Sequence, residues 1–284
     1  MNYKTHQTVT SFLDVAQGAL AKNESANNLM LGITERLKKN LDSYASTPYF
    51  GTVADENGLV MAAIMTPPYN LVIHCEAQNC SPAFELVIES LLKQQWNVPG
   101  VSGRVRHARQ FAEKWTRQTG EESKIWMNQR IFELRACNPP SAVSGRMRVA
   151  TEDDIELITK WTFSFHDEAL GGSETEMVDR IVNSKIRDRE IYFWEDGQPV
   201  SLAAKVRPCG AGVSVSLVYT PPEHRRNGYA SAVIAGLSQH LLNSGFEYCT
   251  LFTDLANPTS NKIYMRIGYK PVCDFDLVHF TKTG

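Results

Sequence analysis

Hydrophobic positions in the C-terminal half switch between two periods. Val213, Val215, Leu217, Val218, Tyr219 and Thr220 form an apolar, β-branched run that reads as a strand. Pro221-Pro222 ends it by removing backbone donors and fixing φ. From Tyr229 onward Ala230, Val233, Ile234, Leu237, Leu241 and Leu242 recur at helical spacing, up to Asn243-Ser244-Gly245. Tyr248 to Asp254 predicts a second buried strand, and the stretch from Asn257 to Tyr264 leads into another helix. Upstream, Arg146 to Ala150 predicts a short strand. Thr151-Glu152-Asp153-Asp154 then resembles a capping box with Asp in place of Glu or Gln, opening a helix through Leu157, Ile158 and Trp161. Ser173 is placed to cap the next helix, through Met177, Val178 and Ile181, which leaves His166-Asp167-Glu168 between the two.

The same order occurs twice. Tyr49 to Ala63 matches Ile191 to Ala204 in pattern, each a strand, an acidic-glycine turn and a strand. Asn70 to His74 then answers Ser216 to Thr220 as a further apolar strand. The first half continues with helices through Phe84, Leu86, Val87, Ile88, Leu91 and Leu92 and around Ala108 to Trp115, and ends in Arg130 to Leu134, as the second ends in Phe275 to Phe280. Small and breaker residues gather at Ala136 to Gly145. The expected organisation is an N-terminal domain over 1–138, a linker over 139–145 and a second domain over 146–284. Each is expected to be an α/β unit with a mixed, mainly antiparallel sheet flanked by helices on both faces.

The turn Arg225-Arg226-Asn227-Gly228-Tyr229-Ala230 lies where strand gives way to helix. A helix start leaves backbone N–H groups unpaired, and its dipole favours anions, so a pyrophosphate is a natural occupant. Gly228 removes a blocking side chain, Ala230 keeps the first turn slim, and Arg225 and Arg226 add positive charge. Neither a P-loop nor GxGxxG is present. Taken alone, the hexapeptide reads equally well as an Arg-rich turn capping a surface helix. The first half has Cys75-Glu76-Ala77-Gln78-Asn79-Cys80-Ser81-Pro82 after its strand, with no basic residue and one negative charge, which would serve a pyrophosphate poorly.

Arg225-x-x-Gly228-x-Ala230, followed by Asn257, Tyr264 and Gly268-Tyr269, resembles the GNAT superfamily of acyl-CoA-dependent N-acyltransferases. More narrowly, Val218 to Phe275 resembles bacterial members with a Val-Tyr-Thr-Pro-Pro strand end and a Thr-Asp-x-x-Asn-Pro-Thr-Ser-Asn loop. The resemblance is dense from about Arg146 onward and thin before it. It implies two tandem GNAT-like units, of which only the second binds acetyl-CoA. In it, the strand through Leu217, Val218, Tyr219 and Thr220 would splay from its neighbour and pair with the pantetheine arm. The N–H groups from Arg226 through Asn227, Gly228 and Tyr229 to Ala230 would cradle the pyrophosphate, with Arg225 buttressing the loop or reaching the phosphates. Asn257 would hydrogen-bond the pantetheine, Asn261 follows one turn on along the same face, and Tyr264 would point its hydroxyl at the sulfur. Tyr264 also reads as a core aromatic. Some relatives carry a glutamate on the strand before the loop; Ser214 and Ser216 stand there instead, and His166-Asp167-Glu168 is the candidate source of a base, with Glu168 the residue chosen. His224 reads as structural or as a phosphate neighbour.

The activity implied is N-acetyl transfer to a primary amine by direct attack in a ternary complex. A polyamine, amino acid, aminoglycoside, peptide N-terminus or lysine would each fit as acceptor, bound between the units. Two alternatives stay open: a non-catalytic acyl-CoA sensor, and an interaction protein with a vestigial loop. With 284 residues, 43% of them hydrophobic and 21% charged, the chain suits two domains with real cores. A formal charge of −2 gives no global attraction to nucleic acid, which is not expected as a partner. No apolar run approaches membrane-spanning length and Met1 to His6 opens no signal peptide, so a cytoplasmic protein without a membrane partner is expected. Oligomeric state is open. Six cysteines include no CxxC pair, and Cys75-x4-Cys80 lacks a second pair or a His-x3-5-His partner, so no metal site is expected. Cys137 and Cys249 read as small hydrophobes.

Overall fold

The computed structural model describes residues 1–39, 46–77, 79–140, 143–172 and 175–282. Ser173, the Met177 side chain and linker residues 141–142 lie outside them. Contacts divide the chain into two compact units, one of residues 1–131, 252–257 and 271–284, the other of 132–251 and 258–270.

The first unit runs β1 (Asn2–Thr5), α1 (Val9–Ala21), α2 (Glu24–Lys39), β2 (Tyr49–Asp55), β3 (Gly58–Met65), β4 (Leu71–Cys75), α3 (Ser81–Lys93), β5 (Gly100–Arg104) and α4 (Val105–Thr119). The strand β6 (Glu122–Leu134) follows and is divided between the units after Ile131. β2 and β3 form the expected hairpin, closed at Asp55↔Gly58. β4 and β5 pair in parallel at Leu71↔Val101 and Val72↔Ser102. Helix α4 shows why a sequence of low mean hydropathy still folds: Ala108, Phe111, Ala112 and Trp115 line one face and pack with Phe84, Val87, Ile88 and Leu91 of α3 against Met61, Ala63 and Met65. Gly120, in the left-handed region at φ 74°, ends the helix with its N–H on the Thr116 carbonyl. The helices α1 and α2 pack on β2 to β4.

The second unit contains β7 (Arg146–Val149), α5 (Ile155–Leu170), α6 (Thr175–Arg187), β8 (Ile191–Glu195), β9 (Pro199–Cys209), β10 (Gly212–Tyr219), α7 (Tyr229–Asn243), β11 (Tyr248–Asp254) as far as Leu251, and α8 (Pro258–Ile267). Its strand order is β11-β10-β9-β8-β7. The expected capping box is present: Thr151 and Asp154 bond each other's backbone, and Arg148 holds the Asp154 carboxylate at 2.7 and 2.8 Å. Two apolar clusters follow the alternation along the strands. Ile158, Trp161, Val178 and Val182 of α5 and α6 meet Phe193, Leu202 and Ala204, while Val233, Ile234, Leu237 and Leu241 of α7 meet Tyr192 and Ala203.

Three differences from expectation stand out. The chain's last strand, β12 (Lys270–Thr281), pairs antiparallel with β5 from Phe275↔Arg104 to His279↔Gly100. Residues 271–284 thus complete the first unit, whereas a domain of 146–284 was expected. The physical reason is the open edge of β5, which β12 covers while Val278 and Phe280 enter that unit's core. His166-Asp167-Glu168 lies inside α5, because nothing breaks the helix before Gly171, left-handed at φ 74°. Finally, α1, α2 and β5 were not anticipated.

Asp276 fastens β12. Its carboxylate is fully buried and accepts from Arg109 Nε at 2.6 Å and Asn128 Nδ2 at 2.7 Å. Arg109 is half exposed, so deleting the carboxylate strands only part of a charge. Asp276→Ala is expected to lower stability by about 2 kcal/mol, read as a shift of the urea midpoint at unchanged slope.

Candidate functional site

The strand β10 changes partners and faces within eight residues. It pairs in parallel with β11 only at Gly212↔Tyr248, Val213↔Cys249 and Ser214↔Thr250, where the Ser214 and Thr250 hydroxyls meet at 2.8 Å. On its other edge the antiparallel register with β9 shifts between Ser216↔Ala204 and Tyr219↔Leu202. Leu217, inside that shift, has φ 51°, a left-handed value unusual for a branched residue. Strict alternation would keep Val213, Val215, Leu217 and Tyr219 on one face. The bulge instead puts Val213 and Val215 with α7 and α8, and Leu217 and Tyr219 with α5 and α6. Val218 turns to the α7 side. Sequence reasoning missed the bulge, although three consecutive apolar residues, Leu217 to Tyr219, break the alternation and mark it.

Beyond β10 the chain is held by its own groups. Ser201 Oγ donates to the Tyr219 carbonyl at 3.0 Å and meets Thr220 Oγ1 at 2.8 Å. A single 3-10 turn at Pro222–His224 leads into the Arg225 loop. Arg225 Nε donates to the Thr220 carbonyl at 2.9 Å, and its Nη2 reaches both Glu168 oxygens at 2.8 and 2.7 Å. The Tyr219 hydroxyl donates to the same carboxylate at 3.4 Å. These contacts tie the Arg225 guanidinium to the end of β10 and to α5. Arg226 is exposed with φ 67° and has no ion-pair partner among the described residues.

Gly228 sits at the N-cap of α7 with φ 83° and ψ 0° and offers no side chain to cap it. The Ala232 N–H is the one that returns to the Gly228 carbonyl, at 3.0 Å. The N–H groups of the first turn, Tyr229 and Ala230 among them, therefore lie at a helix start without a side-chain cap. Asn227 Nδ2 donates to the His224 and Arg225 carbonyls at 3.2 and 3.3 Å and closes the loop on itself. The far side is pinned by a contact the sequence did not reveal. Tyr229 Oη donates to Asp196 Oδ2 at 2.7 Å, and Ser144 Oγ to the same oxygen at 2.6 Å. These hydrogen bonds, Ser144's first, hold the Asp196 carboxyl below its usual range.

The remaining candidates are distributed along α8 and α5. The Asn257 N–H donates to the Asp254 carbonyl at 3.1 Å in the turn before α8, and Asn261 lies one turn into the helix. Tyr264 is 8% exposed, packed among Phe132 and Tyr269 rings at 6.3 and 6.0 Å. Burial pushes its phenol up to about 12 against the pull of a hydrogen bond with Ser260. Of the triplet on α5, Glu168 is ion-paired, Asp167 is exposed, and His166 is buried with its pKa lowered by that burial and no partner on Nδ1 among the described residues.

Residues 196–275, from the β8–β9 turn into β12, match the family model described as FR47-like protein. No curated protein sequence matches the chain. Among solved structures, the chain is similar to a GCN5-related N-acetyltransferase from Sphaerobacter thermophilus, at 14% identity over 99% of this chain and 96% of that one, with a TM-score of 0.66. It is similar to a tandem GNAT protein from the clavulanic acid biosynthesis pathway, at 11% identity over 100% and 99%, with a TM-score of 0.61. A GNAT-family acetyltransferase from Colwellia psychrerythraea shares 13% identity over 99% of each chain, with a TM-score of 0.55. At these identities the likeness concerns the fold. The chain has the GNAT fold, as two tandem units, each a mixed and mainly antiparallel sheet with helices on both faces. No helix among the described residues is long and apolar enough to cross a membrane.

The Tyr264 phenol stays neutral through the usual tyrosine range. Its folded pKa lies above the unfolded value of about 10, so the stability it brings is complete below pH 10 and is lost as pH rises toward about 12. Ultraviolet titration of tyrosinate is expected to be the same for wild type and Tyr264→Phe up to pH 10.5 and to diverge above it.

Proposed function

We propose that the second unit is an acyltransferase site that takes acetyl-CoA as donor and a primary amine as acceptor. One observation carries this reading: β10 leaves β11 after Ser214, bulges at Leu217, and runs directly into a glycine-opened helix with no side-chain cap. A strand with a freed edge suits an extended, amide-bearing arm, and an uncapped helix start suits a pyrophosphate. A Cβ on Gly228 would meet Val143 Cγ2 at 3.2 Å from a left-handed backbone, so the position favours glycine for local as well as ligand reasons.

Bound acetyl-CoA supplies a thioester already activated toward amines. In this reading Leu217, Val218, Tyr219 and Thr220 present backbone groups to the pantetheine arm. The N–H groups from Arg226 to Ala230 hold the pyrophosphate, Arg226 adds mobile charge, and Asn257 and Asn261 bond the arm from the α8 side. The N–H of Val218 or Tyr219 polarises the reacting carbonyl, a contribution that such donors make at about 3 to 4 kcal/mol each. Tyr264 donates a hydrogen bond to the departing sulfur. It keeps its proton, because a phenol near 12 is a far weaker acid than a thiol of about 8 to 9. Fold alone does not select the acceptor.

Glu168 enters this reading with two roles, base and anchor of Arg225. The ion pair favours the anchor, since both carboxylate oxygens are already engaged by the Arg225 guanidinium. Glu168→Gln is accordingly expected to raise the Kd for acetyl-CoA several-fold with kcat nearly unchanged; a fall in kcat with loss of the acidic limb of the pH profile would assign the base.

The reading as a whole is tested by calorimetric titration with acetyl-CoA, coenzyme A and a longer acyl-CoA. Micromolar binding to the wild type, abolished in a folded Gly228→Glu, is the expected result. Tyr264→Phe is expected to bind normally and to release thiol about 10² times more slowly with an amine panel, the loss of one hydrogen-bond donor to developing charge. Binding without turnover on any amine would favour the acyl-CoA sensor. No binding at millimolar ligand would defeat both.

A further inference from the structure

In sequence, Cys75 and Cys80 form an isolated pair, yet the fold supplies a third donor. The cysteines bracket the turn from β4 into α3, and α4, which follows β5 and packs beside α3, brings in His107. One donor atom each from Cys75, Cys80 and His107 lies within 4.8 Å of the other two; both cysteines are buried and His107 is half-buried. Cys80 Sγ donates to the Ala77 carbonyl at 3.2 Å. The His107 ring lies beside the Ala77 backbone, in the turn between the two cysteines.

We propose that Cys75, Cys80 and His107 bind a zinc ion, with one position left for water or an external donor. Zinc bonds of about 2.3 Å to sulfur and 2.0 to 2.1 Å to nitrogen put tetrahedral neighbours about 3.6 to 3.8 Å apart, so the three donors need close in by no more than about 1 Å. Two thiolates and an imidazole are a soft set, which selects zinc over magnesium or calcium. Binding releases the two thiol protons, and the resulting complex of Zn²⁺, two thiolates and a neutral ring carries no net charge, as a buried site requires. The ion would tie together the end of β4, the start of α3 and the first turns of α4. Within the repeat this turn occupies the place that Arg225 to Ala230 occupies in the second unit. The internal duplication thus carries a cationic loop at one copy of the junction and soft donors at the other. The expectation of no metal site rested on spacing within one segment, and His107 lies 27 residues beyond Cys80, on a different helix.

The test uses the full chain, reduced, stripped with a chelator and titrated with Co²⁺. One equivalent is expected to produce an ultraviolet thiolate-to-cobalt charge-transfer band and the intense visible bands of four-coordination, both removed by one equivalent of Zn²⁺. His107→Gln, with wild-type circular dichroism, is expected to weaken binding at least about 100-fold. Cys80→Ser is expected to abolish the charge-transfer band, and Cys273→Ser, a cysteine elsewhere in the same unit, to leave it intact. Absence of the band in the wild type overturns the proposal, as does a band that survives unchanged in His107→Gln. Because His107 is half-buried, its variant keeps the test decisive even if Cys80→Ser does not fold.

Discussion

A strand can satisfy two neighbours only while all three keep the same residue count, and β10 breaks that condition at Leu217. The bulge changes which face each later side chain meets, so Leu217 and Tyr219 are committed to the α5–α6 cluster and Val213 and Val215 to the α7–α8 cluster. A left-handed Leu carries a local cost of order 1 to 2 kcal/mol, which persists because burial on both faces holds the register. The strand's departure from β11 after Ser214, and the backbone edge this frees, follow from the same count.

The loop after β10 is preformed by side-chain contacts that take no part in ligand binding in the proposed reading. Arg225 spends its guanidinium on Thr220 and Glu168, Asn227 closes on the carbonyls behind it, and Asp196 gathers Tyr229 and Ser144. Such internal contacts reduce the ordering cost that binding would otherwise bear. They also divide labour between the two arginines: Arg225 fixes shape, while the exposed Arg226 keeps its charge for solvent or an anion.

The duplication preserves scaffold more strictly than chemistry. Each unit has an acidic-glycine hairpin, β2–β3 or β8–β9, then a strand that pairs in parallel, through a crossover helix, with the next. What differs is the turn into the crossover helix, where backbone and side chains are least constrained by the core. One copy carries Arg225, Arg226 and Gly228, the other Cys75, Glu76 and Cys80.

Local patterns were legible in the sequence wherever neighbours in the chain decide the structure. The period change at Pro221-Pro222, the hairpin at Asp55 to Gly58, the Thr151–Asp154 capping box and the limits of β11 and α7 all depend on propensity, turn chemistry or alternation within a few residues. Even the α5 terminus was available in Gly171, had it been weighed above the polarity of His166 to Glu168. Tertiary structure alone decided the rest. That β12 completes the first unit's sheet, that Arg225 turns inward to Glu168, that Tyr264 is buried against Phe132, and that His107 meets Cys75 and Cys80 are contacts across 27 to 179 residues. Periodicity says which side of a strand or helix is apolar. It carries no information about which distant edge or side chain that element will meet, because the choice is made by packing the whole core at once.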